Sequence, residues 1–561
     1  MKMRKLLALS LSAMMLGSVG MTVACGPERS GVSKDAGTIN VAWQVAGYGE
    51  GYIREVAEAF NKLYKEQGYK VNLLDPDSTL EGRTALAEMR LGMASGVDLY
   101  MPGTVRIWDV LDEEYGICVE DLNDLYNSTY INFDGTEGTE PFKNSIKHAN
   151  GKTYLTDLAG ENYYTFGHVA STRGIVCNAK LLNKYGITEM PRTTDELFDA
   201  YDAIYYGANG RGSTAETGIY PTTWGGSNAF GYAMNSSYTH LAQMLGSEAY
   251  DAFYKMDNLI QDGQVSADSW KMYENEAIKD VLEVFIQQYD TAYSVRGAVG
   301  QDHHKAHSQI ITGKAAFMTD GEFFFNEVRA NFGQYLNDVT FVNIPVMSKL
   351  GVNLKLDGTG LDREKCDDIL SAIIKGVDEG KDNATIKSEV DAQFSVSLNV
   401  ETQVERIRDA RGCAFSSGIG SGYYVTKGTQ KKAICELFLR MLGSPDSAKV
   451  LAKYGMLSAY SFMDESEYQY QFTKDAAKII KNFTYGVTGT PYNGTLRQAT
   501  NLFLYPVYSA MMPVTIATEI GVVENPSARD YAALAQTAYE KNLNDVQKNW
   551  KTYMERAGYV L

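Results

Sequence analysis

The feature that most constrains this chain is a repeated change of hydrophobic period between residues 38 and 101. Ile39, Val41, Trp43 and Val45 alternate with other residues, as a strand with one buried face requires. Gly47, Gly49 and Gly51 then make a turn. Ile53, Val56, Ala57, Phe60, Leu63 and Tyr64 follow at helical spacing, with Arg54, Glu55, Glu58 and Lys62 opposite. Gly68 ends that helix. Val71–Leu74 reads as a second strand and Asp75–Ser78 as a turn. Leu86, Met89 and Met93 mark a second helix, ended near Gly96, and Val97–Met101 is a third strand. A βαβαβ run of this kind predicts an α/β fold with an open sheet, right-handed crossovers and helices on its faces. Ligands of such sheets bind outside the carboxyl ends of the strands, here 46–51, 75–81 and 100–104.

The amino-terminal end carries a different message. Lys2, Arg4 and Lys5 precede an uncharged apolar stretch from Leu6 to Val23, followed by Ala24-Cys25-Gly26. The pattern reads as a signal peptide over 1–24. A cysteine in that place resembles the bacterial lipoprotein signature, although Thr22 stands where that signature usually has Leu. The resemblance implies a diacylglyceryl group on the Cys25 sulfur, cleavage before it and acylation of the new amino group. Several acyl chains suffice for stable anchoring. Residues 25–37 are polar and read as a flexible tether. No later stretch approaches the ~20 apolar residues that span a bilayer.

A mature chain from Cys25 to Leu561 has room for two or three domains. Loss of the three basic leader residues takes the formal charge from −17 to −20, which opposes nucleic acid and anionic lipid and suits a neutral or cationic ligand. The cysteines after Cys25 (118, 177, 366, 413 and 435) are scattered and odd in number, so buried thiols fit better than a disulfide framework or zinc site. Tyrosine is used 38 times against 21 phenylalanines, which favours surfaces that offer a flat face with a polar tip.

Further along, 167–178 is a run of small and β-branched residues suited to carrying the chain between lobes. Pro191–Leu197 starts a helix capped by Thr193 or Thr194. The Gly-, Tyr-, Thr- and Asn-rich stretch 205–238 reads as loops. Residues 281–289 read as helix, and 307–320 as a helix running into a strand. Asp320 then reads as the cap of a helix reaching about Asn331. The charged stretch 357–411 reads as an insertion, 431–442 as an amphipathic helix and 527–556 as a long terminal helix.

Several of these landmarks together resemble one family, the family 1 extracellular solute-binding proteins of ABC importers, the maltose-binding-like group. The opening strand, glycine turn and helix ending Ala57-Glu58-Ala59-Phe60-Asn61-Lys62 is similar to that family's first unit, and Ala94–Tyr100, with Asp98 before the strand, to its second helix-to-strand junction. Ile175–Leu182 with Gly186 resembles its lobe-crossing strand, with Cys177 where the family usually has Tyr. Ile311–Met318 followed by Asp320–Phe323 resembles its most recognisable motif, with Phe323 where Trp is more common. Phe438–Asp446 is similar to its late helix and stop.

The resemblance implies a two-lobed periplasmic-binding-protein-like fold of type II, each lobe a mixed sheet flanked by helices, joined by a hinge. Lobe one is expected at 38–165 and 315–425, lobe two at 166–314 and 426–561. It implies an exported, lipid-anchored monomer on the outer face of a bacterial cell membrane that captures a sugar or oligosaccharide in an interlobe cleft. The loaded protein then meets the transmembrane permease subunits of an ABC importer, and no cofactor, metal or catalysis is implied. Lobe closure is a hinge motion, and a ligand drives it only by preferring the closed state.

Sugar C–H faces stack on aromatic rings and sugar hydroxyls need planar donors and acceptors. The candidate ligand-binding residues are Trp43, Tyr48, Glu50, Glu81, Arg83, Asp320, Glu322 and Phe323 from lobe one. Lobe two offers Trp224 and Tyr232, and Tyr423 and Tyr424 lie near the hinge return. Trp43 fits a core position almost as well, Glu81 and Arg83 fit a solvated surface, and Tyr423 and Tyr424 fit a packed strand.

Competing motifs fail on detail. Gly47-x-Gly49-x-Gly51 lacks the third glycine of a dinucleotide fingerprint, since Tyr52 stands there. Gly313-Lys314 has neither the upstream glycine nor the following Ser or Thr of a phosphate loop. His303 and His307 share a helix face but lack further ligands for a metal. The acidic run 357–368 lacks a calcium-loop pattern. Two functional alternatives stay open: an exported carbohydrate-active enzyme, which needs a carboxylate pair, and an importer component for peptides or another solute.

Overall fold

The computed structural model describes residues 29–45, 47, 49–103, 105, 107–111, 116–145, 161–227, 230–255, 260–261, 264–415, 421–460, 462–487 and 526–556. Cys25 and Tyr48 lie outside the described residues. The chain divides into two units. One takes Met1–Lys147, Gly151–Ala170 and Ile419–Asp464; the other is chiefly Ser171–Gly418 and Glu465–Leu561. Each is built on a mixed sheet. In chain order the strands of the two sheets are β1 (Thr38–Trp43), β2 (Lys70–Leu73), β3 (Leu99–Met101), β4 (Phe166–Ala170), β5 (Arg173–Asn178), β6 (Tyr220–Thr222), β7 (Ala315–Gly321), β8 (Val339–Val342), β9 (Ser421–Val425) and β10 (Leu457–Ser458).

In the first unit the strand order is β10-β4-β9-β3-β1-β2. β1 runs parallel to β2 and β3, whereas β9 is antiparallel to both β3 and β4. All six residues of β1 are buried rather than alternately exposed. A parallel strand between two others, with helices on both sheet faces, has no solvent side. The helix Gly51–Leu63 buries Tyr52, Ile53, Val56, Ala57 and Phe60. Phe60 meets Phe438 edge to face at 5.6 Å. Gly51 is fixed by contact, since a Cβ there would sit 2.1 Å from the Tyr454 ring. The Asp98 carboxylate is fully buried and accepts from the Asn40 amide (2.9 Å), Thr429 Oγ1 (2.7 Å) and Lys431 Nζ (3.2 Å). One buried, satisfied anion thus ties β1, the start of β3 and the helix Lys432–Leu442 together.

Residues 29–37 were expected to belong to a free tether, and they do not. The Arg29 amide donates to the Ser95 carbonyl at 3.1 Å. The Arg29 guanidinium binds Glu88 Oε2 at 2.9 Å and Asp77 Oδ2 at 2.6 Å. Ser33 exchanges hydrogen bonds with the Asn40 side chain at 2.8 and 2.9 Å. Polarity alone does not make a segment mobile when each donor finds a partner.

In the second unit the order is β8-β5-β7-β6. β5 is antiparallel to β8 and to β7, and β6 is parallel to β7. This pairing corrects the expected boundaries: 315–418 joins 171–314 because β7 lies between β5 and β6, and 426–464 joins the first unit because β10 pairs with β4. The chain passes between units at 170/171, inside the stretch read as a crossover. Residues 205–238 also depart from a loop reading, since they contain β6 and the start of the helix Phe230–Leu245. Glycine, serine and asparagine lower helix propensity, but burial of Ala233, Met234, Ser236 and Ser237 outweighs it. The helix Thr194–Tyr206 is capped by Thr193, whose Oγ1 accepts from the Glu196 amide.

The charged stretch forms the helices Arg363–Asp378, Asn383–Phe394 and Glu405–Gly412 around a separate core of Ile369, Leu370, Ile373, Ile374, Val404 and Ile407. Its contacts with the helix Thr194–Tyr206 are polar: Thr193 Oγ1 to Asp367 Oδ2 at 2.8 Å and Arg363 bidentate to Asp195 at 2.7 and 2.8 Å. Cysteines 118, 177, 366, 413 and 435 are all buried and unbridged. Burial raises the thiol pKa of Cys177, Cys413 and Cys435. No described helix is long and apolar enough to cross a membrane.

Candidate functional site

The sequence candidates separate into core and surface groups. Trp43 is fully buried and its indole N–H donates to the Leu74 carbonyl at 2.7 Å. Tyr423 and Tyr424 are buried in β9; Tyr423 packs on His168 and the Tyr424 hydroxyl donates to the Val105 carbonyl at 3.1 Å. Trp224 is buried against Tyr289, edge to face at 5.4 Å, with its N–H on Ser294 Oγ. Glycines 225 and 226 beside it serve close packing, because a Cβ on either would strike the backbone of His303 or Val299. Glu50 lies on the surface and pairs with Arg54. Glu81 accepts from Gln44 Nε2 at 3.3 Å, and Arg83 is exposed.

The other four, Tyr232, Asp320, Glu322 and Phe323, come together in the second unit. β7 ends at Gly321, opposite Arg173 at the start of β5. Glu322 is 3% exposed, and its Oε2 accepts from the Thr172 amide (2.7 Å) and Ser171 Oγ (3.1 Å), with Arg173 at 3.5 Å. The Arg173 guanidinium lies 4.6 Å from the centre of the Phe323 ring, a cation–π contact. Tyr232 also neighbours that ring, at 5.5 Å. Phe323 folds back over Gly321, where a Cβ would lie 2.2 Å from the ring. Phe323 is nearly closed off, so the half-buried Tyr232 is the ring offered to solvent. Burial, then the Asp320 carboxylate, push its phenol up to about 12, so it stays a neutral hydrogen-bonding group.

Asp320 does not cap the following helix, whose N-cap is Phe323 without a side-chain bond. It lies within β7 and binds His307 Nε2 at 2.7 Å from the helix His303–Ile311. His307 Nδ1 faces Glu327 Oε2 at 3.4 Å. Burial works against the imidazolium, but Asp320 and Glu327 outweigh it and raise the His307 pKa. Burial, reinforced by Asp320, pushes Glu327 up to about 7. Arg173, His307 and Glu327 were not among the sequence candidates. Arg173 carried one available signal, a lone cation in the small-residue run Ala170-Ser171-Thr172-Arg173-Gly174. Among the described residues no group of three or more His, Cys, Asp or Glu could hold a metal.

These groups predict a pH dependence. A carboxyl raised from about 4.5 to about 7 on folding gives stability that is complete below the lower value and lost as pH rises through the upper one. His307, also raised, acts in the same direction, as does Asp367, which burial pushes up to about 7. The melting temperature is expected to fall between pH 6 and pH 8, and Glu327→Gln to flatten that fall in calorimetric scans. An unchanged slope in the variant would remove Glu327 from the account.

Compared with solved structures, the chain is similar to solute receptors. A chitin oligosaccharide binding protein matches with a TM-score of 0.53 at 12% identity, over 92% of this chain and 100% of that one. A cyclic alpha-maltosyl-1,6-maltose binding protein from Arthrobacter globiformis matches at 0.52 and 13%, over 91% and 99%. A probable secreted solute-binding lipoprotein from Streptomyces coelicolor matches at 0.51 and 14%, over 91% and 100%. No family model and no curated protein matches. At these identities the likeness is one of fold: the chain has the two-lobed α/β architecture of periplasmic-binding-protein-like receptors.

Proposed function

We propose that this chain is an exported, lipid-anchored binding protein that captures a sugar or oligosaccharide and delivers it to the permease of an ABC importer. The Tyr232–Phe323 pair, backed by Arg173 and the buried Glu322, carries this reading. It offers one solvent-facing ring with a neutral hydroxyl, held by packed and ion-paired groups, as stacking on a sugar face demands. The fold shared with sugar-binding receptors supports it, as does the leader over 1–24 that stands before Cys25.

Binding without turnover distinguishes this function from an exported enzyme. Calorimetry against a panel of oligosaccharides and peptides is expected to give saturable binding of a sugar, with the intact sugar recovered afterwards. Hydrolysis during incubation, or affinity for peptides alone, sinks the proposal. Tyr232→Ala is expected to weaken sugar affinity about tenfold to a hundredfold, the ~1.4–3 kcal/mol typical of an aromatic anchor, and to leave the melting temperature nearly unchanged.

A further inference from the structure

The expected tether is shorter than its polarity suggests, and this bears on how the protein meets a membrane. Arg29 is fixed by its main-chain bond to Ser95 and by a guanidinium shared between Glu88 and Asp77. Val32 packs against the core that contains Leu74, Leu80 and Val97. Four peptide steps separate Cys25 from Arg29, a reach of at most about 14 Å even when fully extended. The headgroup layer of one leaflet takes up roughly 6 Å of that distance.

The element bonded to Arg29 is the turn Gly92–Ser95. It carries Met93, one of the few large apolar side chains exposed among the described residues (38%), and Ala94 beside it is exposed as well. The left-handed Gly96 (φ +73°) ends the turn and fixes its direction. Arg29, the first described residue after Cys25, is therefore bonded to a turn that has an exposed apolar tip and leads into the inner strand β3.

We infer that the turn Gly92–Ser95 rests on the outer surface of the bilayer that holds the acyl chains of Cys25, with Met93 entering the headgroup layer. The inference rests on lipidation of Cys25 as proposed above. The partner is the bilayer itself, because a span of about 14 Å leaves the turn no route away from it, and a thioether side chain is neutral and adaptable at such a boundary. This unit is then held to the membrane by a fixed turn instead of hanging from a long leash.

The test uses the full acylated protein in vesicles of phosphatidylcholine and phosphatidylglycerol with brominated acyl chains. A reporter is placed by Met93→Trp, with Ala94→Trp as a second reporter on the same turn should the first misfold. Emission added over the parent protein is expected to shift to the blue and lose most of its intensity. Insertion of about twelve Gly and Ser residues before Arg29 lengthens the flexible reach by roughly 20 Å and is expected to restore it. Unquenched emission from protein whose amino-terminal peptide carries the acyl mass overturns this inference and leaves lipidation standing. Quenching that survives the insertion overturns the short link as the cause of the contact. An amino-terminal peptide without acyl mass overturns the lipidation and this inference together.

Discussion

Asp290→Ala is expected to cost about 3–5 kcal/mol of stability, the range for removing one partner of a buried ion pair. Asp290 is fully buried and holds three groups. Its Oδ2 lies 3.0 Å from Arg529 Nε and accepts from the Tyr531 hydroxyl at 3.0 Å, and its Oδ1 accepts from the Ala292 amide at 2.8 Å. Arg529 is itself only 4% exposed in its side chain. Without the carboxylate, a guanidinium and a phenol are stranded where the long helix Tyr531–Arg556 begins. That helix packs along Glu276–Gln288, burying Tyr539, Trp550 and Met554. Urea unfolding should show a lower midpoint, and limited proteolysis should cut first near the carboxyl end. Asp290→Asn should lose less, because an amide oxygen still accepts from Tyr531. Equal stability of Asp290→Ala and the parent would show that the helix is held by its apolar face alone.

The second large effect is expected from Glu322→Ala, again about 3–5 kcal/mol, and here stability and binding should fall together. The change orphans the Thr172 amide and removes the anion beside Arg173. Arg173 is then free to leave the Phe323 ring, and Tyr232 loses its backing. Glu322→Gln is the informative partner, since it keeps an acceptor for Thr172 and loses only the charge. Sugar affinity that persists in Glu322→Ala under conditions where the protein is still folded would separate the ion pair from the ring platform.

Where hydrophobic period decides structure, the sequence was legible. The βαβαβ run has parallel pairing of β1 with β2 and β3, and the cap at Thr193 and the helix Lys432–Leu442 are formed as read. Long-range pairing was much less legible. Nothing local in Asp320 tells a helix cap from a partner of His307, because both roles need a short carboxylate near a turn. Trp43 suited a ligand and the core almost equally, whereas Trp224, in a glycine-rich stretch, was read for a ligand and is buried; neighbours such as Leu74 and Ser294 set both outcomes. Residues 29–37 misled because composition reports polarity, whereas order depends on whether Asn40, Glu88 and Ser95 stand opposite. Arg173 reaches the site from β5, and Glu327 from the first turn of the helix that follows Phe323; hydrophobic period reports neither partnership.

The shielded thiols have a practical consequence. Disulfide exchange starts from an exposed thiolate, and these five side chains offer neither exposure nor, for Cys177, Cys413 and Cys435, an easily lost proton. An oxidising environment then finds nothing to crosslink among them while the chain is folded. Denaturation reverses this at once, so alkylation by a thiol reagent becomes a clock for global unfolding, and a single cysteine engineered onto the surface becomes a selective point for attaching a dye.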